Sequence, residues 1–328
     1  MAKITKYVGI DVSSEKFDYY YLLADGTQKR GTFSYHEKDL SKFIGLLSPD
    51  SHCVMEATGI YHLTLAVYLY DHGIMVSVIN PLVIKRYGQM LLNRTKTDKS
   101  DATLIYNYAA TMKPEQWKPD AEHHVQMQQL ISYERLLIKH RTALNNHLLA
   151  LLKCPVGCPQ VISDIKNQLA AVDSSIKQIE KKLLAICKEY YQDEFECMTS
   201  IPGIGKKTAV ILLATVKGFE DFETAKQLCS YFGMAPRIYQ SGSSVNGKAR
   251  ICKMGMSHIR QLLYMCARSA SRYNYACKIM YQRLLEKGKP KKLALIAVAN
   301  KLIKQLFAIV KNKLKYYENI FAYQHSSC

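Results

Sequence analysis

Five short runs between residues 7 and 79 constrain this chain more than any other feature. Tyr7–Val12 is apolar. Phe17–Leu22 and Gly31–Tyr35 are aromatic or β-branched and flank the turn ADGT, while Cys53–Glu56 and Met75–Ile79 read as buried strands. Lys38–Leu47 and Ile60–Asp71 read as intervening helices. Three strands in a meander, then helix, strand, helix, strand and helix, suit a mixed sheet covered by helices.

That pattern stops at MKPEQWKPD (Met112–Asp120), where two prolines and the only tryptophan mark a boundary, so residues 1–118 form a first α/β domain. Two long helices follow over 119–194. Leu169, Val172, Ile176, Ile179, Leu183 and Ile186 alternate in steps of three and four, a coiled-coil seam; Leu130, Leu137, Leu144 and Leu148 form a looser stripe. The seam serves either an intramolecular hairpin turning through Cys154–Pro159 or self-association. From Phe195 the texture changes to apolar helices around glycine-rich and basic loops, which predicts a third, mostly helical domain over 195–328. A chain of 328 residues is long enough for this division, since single cores seldom outgrow roughly 250–300 residues.

A formal charge of +18 calls for a polyanionic partner. Nucleic acid is favoured over a membrane, because no apolar run approaches the roughly 20 residues that span a bilayer. The N-terminal MAKITKYVGIDV lacks the apolar stretch of a signal peptide, so a cytoplasmic location and free thiols are expected for the ten cysteines. Cys154 and Cys158 are the closest pair, but no second Cys or His pair follows at zinc spacing.

Four acids carry the sharpest chemical signal. Asp11 ends the first strand in GIDVSSEKFD, and Glu56 ends a later strand in VMEATGIY, each followed by small or turn residues. Asp98 and Asp101, in TKTDKSDA, share one face of a helix start, where capping alone would also explain them. Together the four can supply hard oxygen ligands to paired magnesium ions for phosphoryl transfer, and such metals would neutralise an acidic cluster facing DNA.

Ser241, in RIYQSGSSVNGK, precedes Gly242 and lies among Arg237, Lys248, Arg250, Lys253 and Arg260. These cations suit a phosphate and a departing oxygen, although serine beside glycine is also ordinary turn chemistry. Tyr239 is a rival nucleophile without the Arg and His set that tyrosine recombination requires. IPGIG, with Gly203 and Gly205 before Lys206 and Lys207, has the form of a helix-hairpin-helix turn, or of a simple turn between helices. Lys287, Lys289, Lys291, Lys292, Lys301 and Lys304 extend the basic surface.

Taken together these motifs resemble the DEDD transposases of bacterial insertion sequences, the IS-one-ten group, related to the Piv and MooV DNA invertases. GIDVSSEKFD, VMEATGIYH and KTDKSDA match the RuvC-like (RNase H-like) motifs, and PGIGKKTA, GMAPRIYQSG, Gly247, Lys253, Gly255 and Arg260 match the C-terminal transposase domain. The resemblance implies that Asp11, Glu56, Asp98 and Asp101 bind Mg²⁺ or Mn²⁺ and that Ser241 is the nucleophile. It also implies a recombinase acting on double-stranded DNA, guided by a structured RNA from the element, and assembled as a dimer of dimers near the bacterial nucleoid. Met256 departs from the pattern, since relatives often carry a small polar residue after the glycine. The alternatives are a RuvC-like nuclease or junction resolvase without a serine nucleophile, and a non-catalytic nucleic-acid-binding protein.

Overall fold

The computed structural model describes residues 6–23, 25–91, 98–219, 221–237, 240–241, 245–246, 250–252 and 255–317. Two compact units, 1–120 and 121–328, divide the chain.

The first unit is built on five strands: β1 (Lys6–Val12), β2 (Lys16–Leu22), β3 (Gln28–Ser34), β4 (Ser51–Glu56) and β5 (Met75–Ile79). Their order is β3-β2-β1-β4-β5. The tight turns make β1, β2 and β3 antiparallel neighbours, and the crossovers through α1 (Glu37–Leu46) and α2 (Tyr61–Asp71) make β1, β4 and β5 parallel. Two further helices, α3 (Pro81–Met90) and α4 (Asp98–Met112), follow. Asn80 caps α3 by accepting from the Leu82 amide at 2.9 Å, and Pro81 suits its first turn. The expected mixed sheet is present, with α3 as an extra helix.

Two cores sandwich the sheet. Val8, Ile10, Val12, Cys53 and Met55 pack with Leu40, Phe43, Leu65 and Leu69 of α1 and α2. Val54 packs on the other face with Ile84, Ile105 and Ala109 of α3 and α4. The proline-rich segment after α4 folds back, its Trp117 amide donating to the Val76 carbonyl at 2.7 Å.

The second unit is helical. α5 (Glu122–Lys153) and α6 (Pro159–Tyr190) form a long hairpin, and α7 (Gln192–Thr199), α8 (Lys206–Val216) and α9 (Ala225–Tyr231) follow. Next come four two-residue strands, β6 (Pro236–Arg237), β7 (Gln240–Ser241), β8 (Val245–Asn246) and β9 (Arg250–Ile251). The chain closes with α10 (Ser257–Tyr273), α11 (Tyr275–Glu286) and α12 (Lys291–Lys311). Ile176, Ile179 and Leu183 of the heptad seam share one core with Met127 and Ile131 of α5, Leu212 and Leu213 of α8 and Leu302 of α12. The base of the hairpin and α7–α12 therefore share one core within the unit 121–328. Cys154 and Cys158 lie exposed at the hairpin tip, whereas Cys53, Cys187, Cys197, Cys229, Cys266 and Cys277 are buried.

One expectation needs correction. Among the described residues α12 is long and apolar enough by composition to cross a bilayer. Its apolar residues Val298, Leu302, Ile303 and Leu306 are instead the buried centre of this unit, and Lys301 and Lys304 interrupt the run when it is read as sequence alone.

Candidate active site

Strand alternation builds one wall of the site. Val8, Ile10 and Val12 point to α1 and α2, so Gly9 and Asp11 face α4; on β4 the same rule puts Val54 and Glu56 on that side. The parallel register pairs Gly9 with Val54 and Ile10 with Met55. One step further, Asp11 stands beside Glu56 at the ends of neighbouring strands, and both are half-buried.

The other wall is α4. A Cβ on Gly9 would run into the Ala102 carbonyl oxygen and the Tyr106 amide nitrogen, and would lie 2.8 Å from the Tyr106 Cα. Glycine is required here because the helix backbone rests directly on the strand. Ala102, Ile105 and Ala109 are the buried stripe of α4. At helical spacing that stripe continues N-terminally to position 101, so Asp101 extends an apolar contact into a polar edge. Asp101 is half-buried; for Asp98 only the backbone, at the first residue of α4, is described.

The fold thus brings Asp11, Glu56 and Asp101 to one face of the sheet. Among the described residues no three His, Cys, Asp or Glu side chains already form a group that could hold a metal ion. The donor set is nevertheless all carboxylate, the chemistry Mg²⁺ or Mn²⁺ takes, so the residues fit such an ion in kind.

Two neighbours were missed in the sequence. Asp18 lies directly opposite Asp11 across the β1–β2 pair and accepts the Thr32 hydroxyl. Its signal was available in GIDVSSEKFD, because a tight turn at 13–15 fixes that register. Tyr35 donates to the Ser13 carbonyl at 2.9 Å, and burial, reinforced by the charge of Asp11, pushes its phenol up to about 12. It stays neutral beside the acids, and no local pattern announces it.

A buried relay supports the far end of β4. Ser77 Oγ lies 2.7 Å from His52 Nε2 and donates to the Glu115 carbonyl at 2.5 Å, so the His52 Nε2 carries the proton. Burial lowers the His52 pKa from 6.5.

In the second unit the backbone around Ser241 is a nested hairpin. Pro236 pairs with Ile251 and Arg237 with Arg250; further in, Gln240 pairs with Asn246 and Ser241 with Val245. Ser241 is therefore, among the described residues, the innermost paired position of this arm. Gly242, Gly247, Lys248, Lys253 and Tyr239 lie outside the described residues, as do the side chains of Arg237, Arg250 and Ser241. Arg260 donates to the Gly255 carbonyl at 2.8 Å, bracing the entry to α10. Met256 is the N-cap of α10 and makes no side-chain cap, which is what a small polar residue there would supply.

The IPGIG turn joins α7 to α8. Gly203 has φ +109°, and a Cβ there would lie 2.7 Å from that of Ala270, so this glycine serves close packing on α10. Gly205, the N-cap of α8, faces open space and Lys206 is exposed. Lys207 is engaged from within: its ammonium lies 2.5 Å from Glu134 and 2.7 Å from Glu180, and the Glu134 side chain is only 2% exposed. Its charge holds the hairpin to α8 instead of standing ready for phosphate.

Two family models match the chain, the first running from β1 past the first unit to the end of α5 and the second lying within the second unit. Residues 8–154 match a family model described as "Transposase", and residues 196–282 match one described as "Transposase IS116/IS110/IS902 family". The pilin gene-inverting protein of Moraxella bovis is 32% identical over 318 residues, covering 93% of this chain and 95% of that protein. The transposase for insertion sequence element IS1111A of Coxiella burnetii is 27% identical, covering 74% of this chain and 73% of its own length. That for IS1328 of Yersinia enterocolitica is 26% identical, covering 80% and 82%. A mixed α/β unit with acids at a sheet edge, joined to a helical unit with these matches, defines a DEDD transposase. The chain belongs to the IS110/IS116 family of insertion-sequence transposases.

Proposed function

We propose that this protein is the recombinase of a bacterial insertion sequence, and that it excises and inserts its element through a covalent serine-DNA intermediate. The observation that carries the reading is the side-by-side placement of Asp11 and Glu56, with the first turn of α4 laid over the same face. Asp11, Glu56, Asp98 and Asp101 would hold Mg²⁺ or Mn²⁺, whose charge favours attack at a phosphodiester.

Ser241 Oγ attacks phosphorus and gives its proton to water, forming a phosphoserine ester; the bond to the other strand end breaks, and its departing oxygen takes a proton from water and leaves as a hydroxyl. A hydroxyl from the partner DNA strand then attacks the ester and restores Ser241, so no phosphodiester energy is lost. Arg237, Arg250 and Arg260, with Lys248 and Lys253, hold the phosphates around this loop. Gly205 with Lys206 forms a helix-hairpin-helix contact to backbone phosphates, in a turn that Gly203 allows to pack on α10, and Lys207 contributes less because Glu134 and Glu180 occupy it. Sequence choice comes from a structured guide RNA that pairs with element and target DNA, and the protein works as a dimer of dimers, for which the exposed Leu136 and Leu149 of α5, rather than the enclosed seam of α6, are open to a partner helix. The site of action is the bacterial cytoplasm, at the nucleoid.

End-labelled element-junction DNA tests this on a denaturing gel. The parent is expected to give a protein-linked strand that is lost in both Ser241→Ala and Asp11→Ala. Cleavage that survives Ser241→Ala but not Asp11→Ala would identify a metal-dependent nuclease instead.

A further inference from the structure

The elbow between α10 and α11 presents a surface that the strand-exchange chemistry leaves unused. Asn274, the single residue between the helices, is fully buried and extended (φ −101°, ψ 113°). Its Oδ1 accepts from the Cys277 amide at 3.1 Å and from the Tyr316 hydroxyl at 3.3 Å, while its Nδ2 donates to Gln305 of α12 at 3.1 Å. Because successive side chains of an extended segment point to opposite sides, pinning Asn274 inward turns both neighbours outward. Those neighbours are Tyr273, 69% exposed, and Tyr275, 55% exposed.

Two tyrosine rings so far into water are an unfavourable arrangement for a free surface, since each ring could bury a large apolar area. Their surroundings point to what covers them. From Ser257 to Lys292 the sequence holds nine lysines and arginines against one carboxylate, Glu286. Arg268, Arg272, Lys278 and Arg283 are all exposed, and among the described residues none of the four is in an ion pair. Exposed rings interleaved with unneutralised cations match the alternation of base and phosphate along an unpaired strand.

We propose that the α10–α11 elbow is a stacking platform for single-stranded DNA, with Tyr273 and Tyr275 against bases and the flanking cations on the phosphates. This rests on the reading of the protein as a DNA recombinase and gives the strands released during exchange a place to be held. Single-stranded DNA is the assigned occupant because the family acts as transposases; neither the rings nor the cations by themselves read the sugar.

The test is equilibrium binding of full-length protein to a labelled oligonucleotide as single-stranded DNA, as the corresponding duplex and as RNA of the same sequence. Tyr273→Ala/Tyr275→Ala is expected to weaken single-stranded DNA binding by about tenfold or more, with duplex binding unchanged and the melting curve of the parent retained. Tyr273→Phe/Tyr275→Phe is expected to restore it, because stacking needs the ring and not the hydroxyl. Arg272→Ala is expected to lower the salt dependence of single-strand binding. Single-strand affinity equal to the parent's in the double alanine variant would overturn the platform, as would failure of the phenylalanine variant to restore it. A larger loss for RNA than for DNA would overturn the assignment of the occupant. A parent that binds neither DNA form would instead sink the recombinase reading, so the two failures are separable.

Discussion

The acidic edge of the first unit and the Glu134–Lys207 pair of the second are both clusters of charge, and the fold treats them in opposite ways. Asp11, Glu56 and Asp101 sit half-buried where two strands end and a helix begins, and Tyr35 beside Asp11 is held neutral. Glu134 is instead fully enclosed and is satisfied by one lysine, which Glu180 also grips. An enclosed carboxylate needs a partner from its own chain to offset desolvation, whereas carboxylates at an edge can be grouped for an outside cation. Burial with a matched ion therefore marks scaffold, and partial exposure with like charges gathered marks chemistry.

The strongest way to break this comparison is at Asp11. Asp11→Asn should lower DNA strand cleavage by about a thousandfold or more in a gel assay, on the scale of losing a metal ligand or its transition-state charge, while the melting temperature holds or rises. A fall in stability with activity retained would place Asp11 with the scaffold. The mirror experiment is Lys207→Met, which leaves Glu134 enclosed without its cation. About 2–3 kcal/mol of lost stability is expected by denaturant unfolding, below the usual range for a broken buried pair because Lys207 is half-exposed.

Much of the first unit can be read directly from sequence. Met75–Ile79 is a strand over the same residues in both readings, and Asp98 opens α4, because short β-rich runs and helix starts are local signals. Gly9 has no local signal: its reason is the backbone of Ala102–Tyr106, more than ninety residues on. Glu134 and Lys207 are likewise separated by 73 residues. The heptad seam announced a helical partner but not which one, since an apolar stripe reports that a face is covered and not by what; Ile176, Ile179 and Leu183 turned out to join the core of their own unit.

Smaller effects sharpen the same contrast. Gly9→Ala should cost about 2 kcal/mol, because the methyl meets backbone atoms that no rotamer change can move aside. It should also reduce cleavage by lifting the first turn of α4 from the strand ends, which a scaffold change elsewhere in the unit would not do. The smallest effect is in pH. His52 is neutral in the fold with its pKa lowered from 6.5 by burial, so its contribution is complete above pH 6.5 and is lost as pH falls toward the lower folded value. Thermal melts from pH 7 downward should show a loss of at most about 1.4 kcal/mol per pH unit from this residue, flattened in His52→Gln.

The sorting of thiols gives the α5–α6 hairpin an experimental use. Burial pushes Cys187 up to about 12 and Cys277 up to about 11, so neither thiol offers thiolate to an alkylating reagent near neutral pH. Cys154 and Cys158 stand in solvent at the far end of the two helices. With Cys252 and Cys328 replaced by serine, a maleimide dye or spin label would report from the hairpin tip alone. Distances between labelled tips would then follow assembly on DNA in real time.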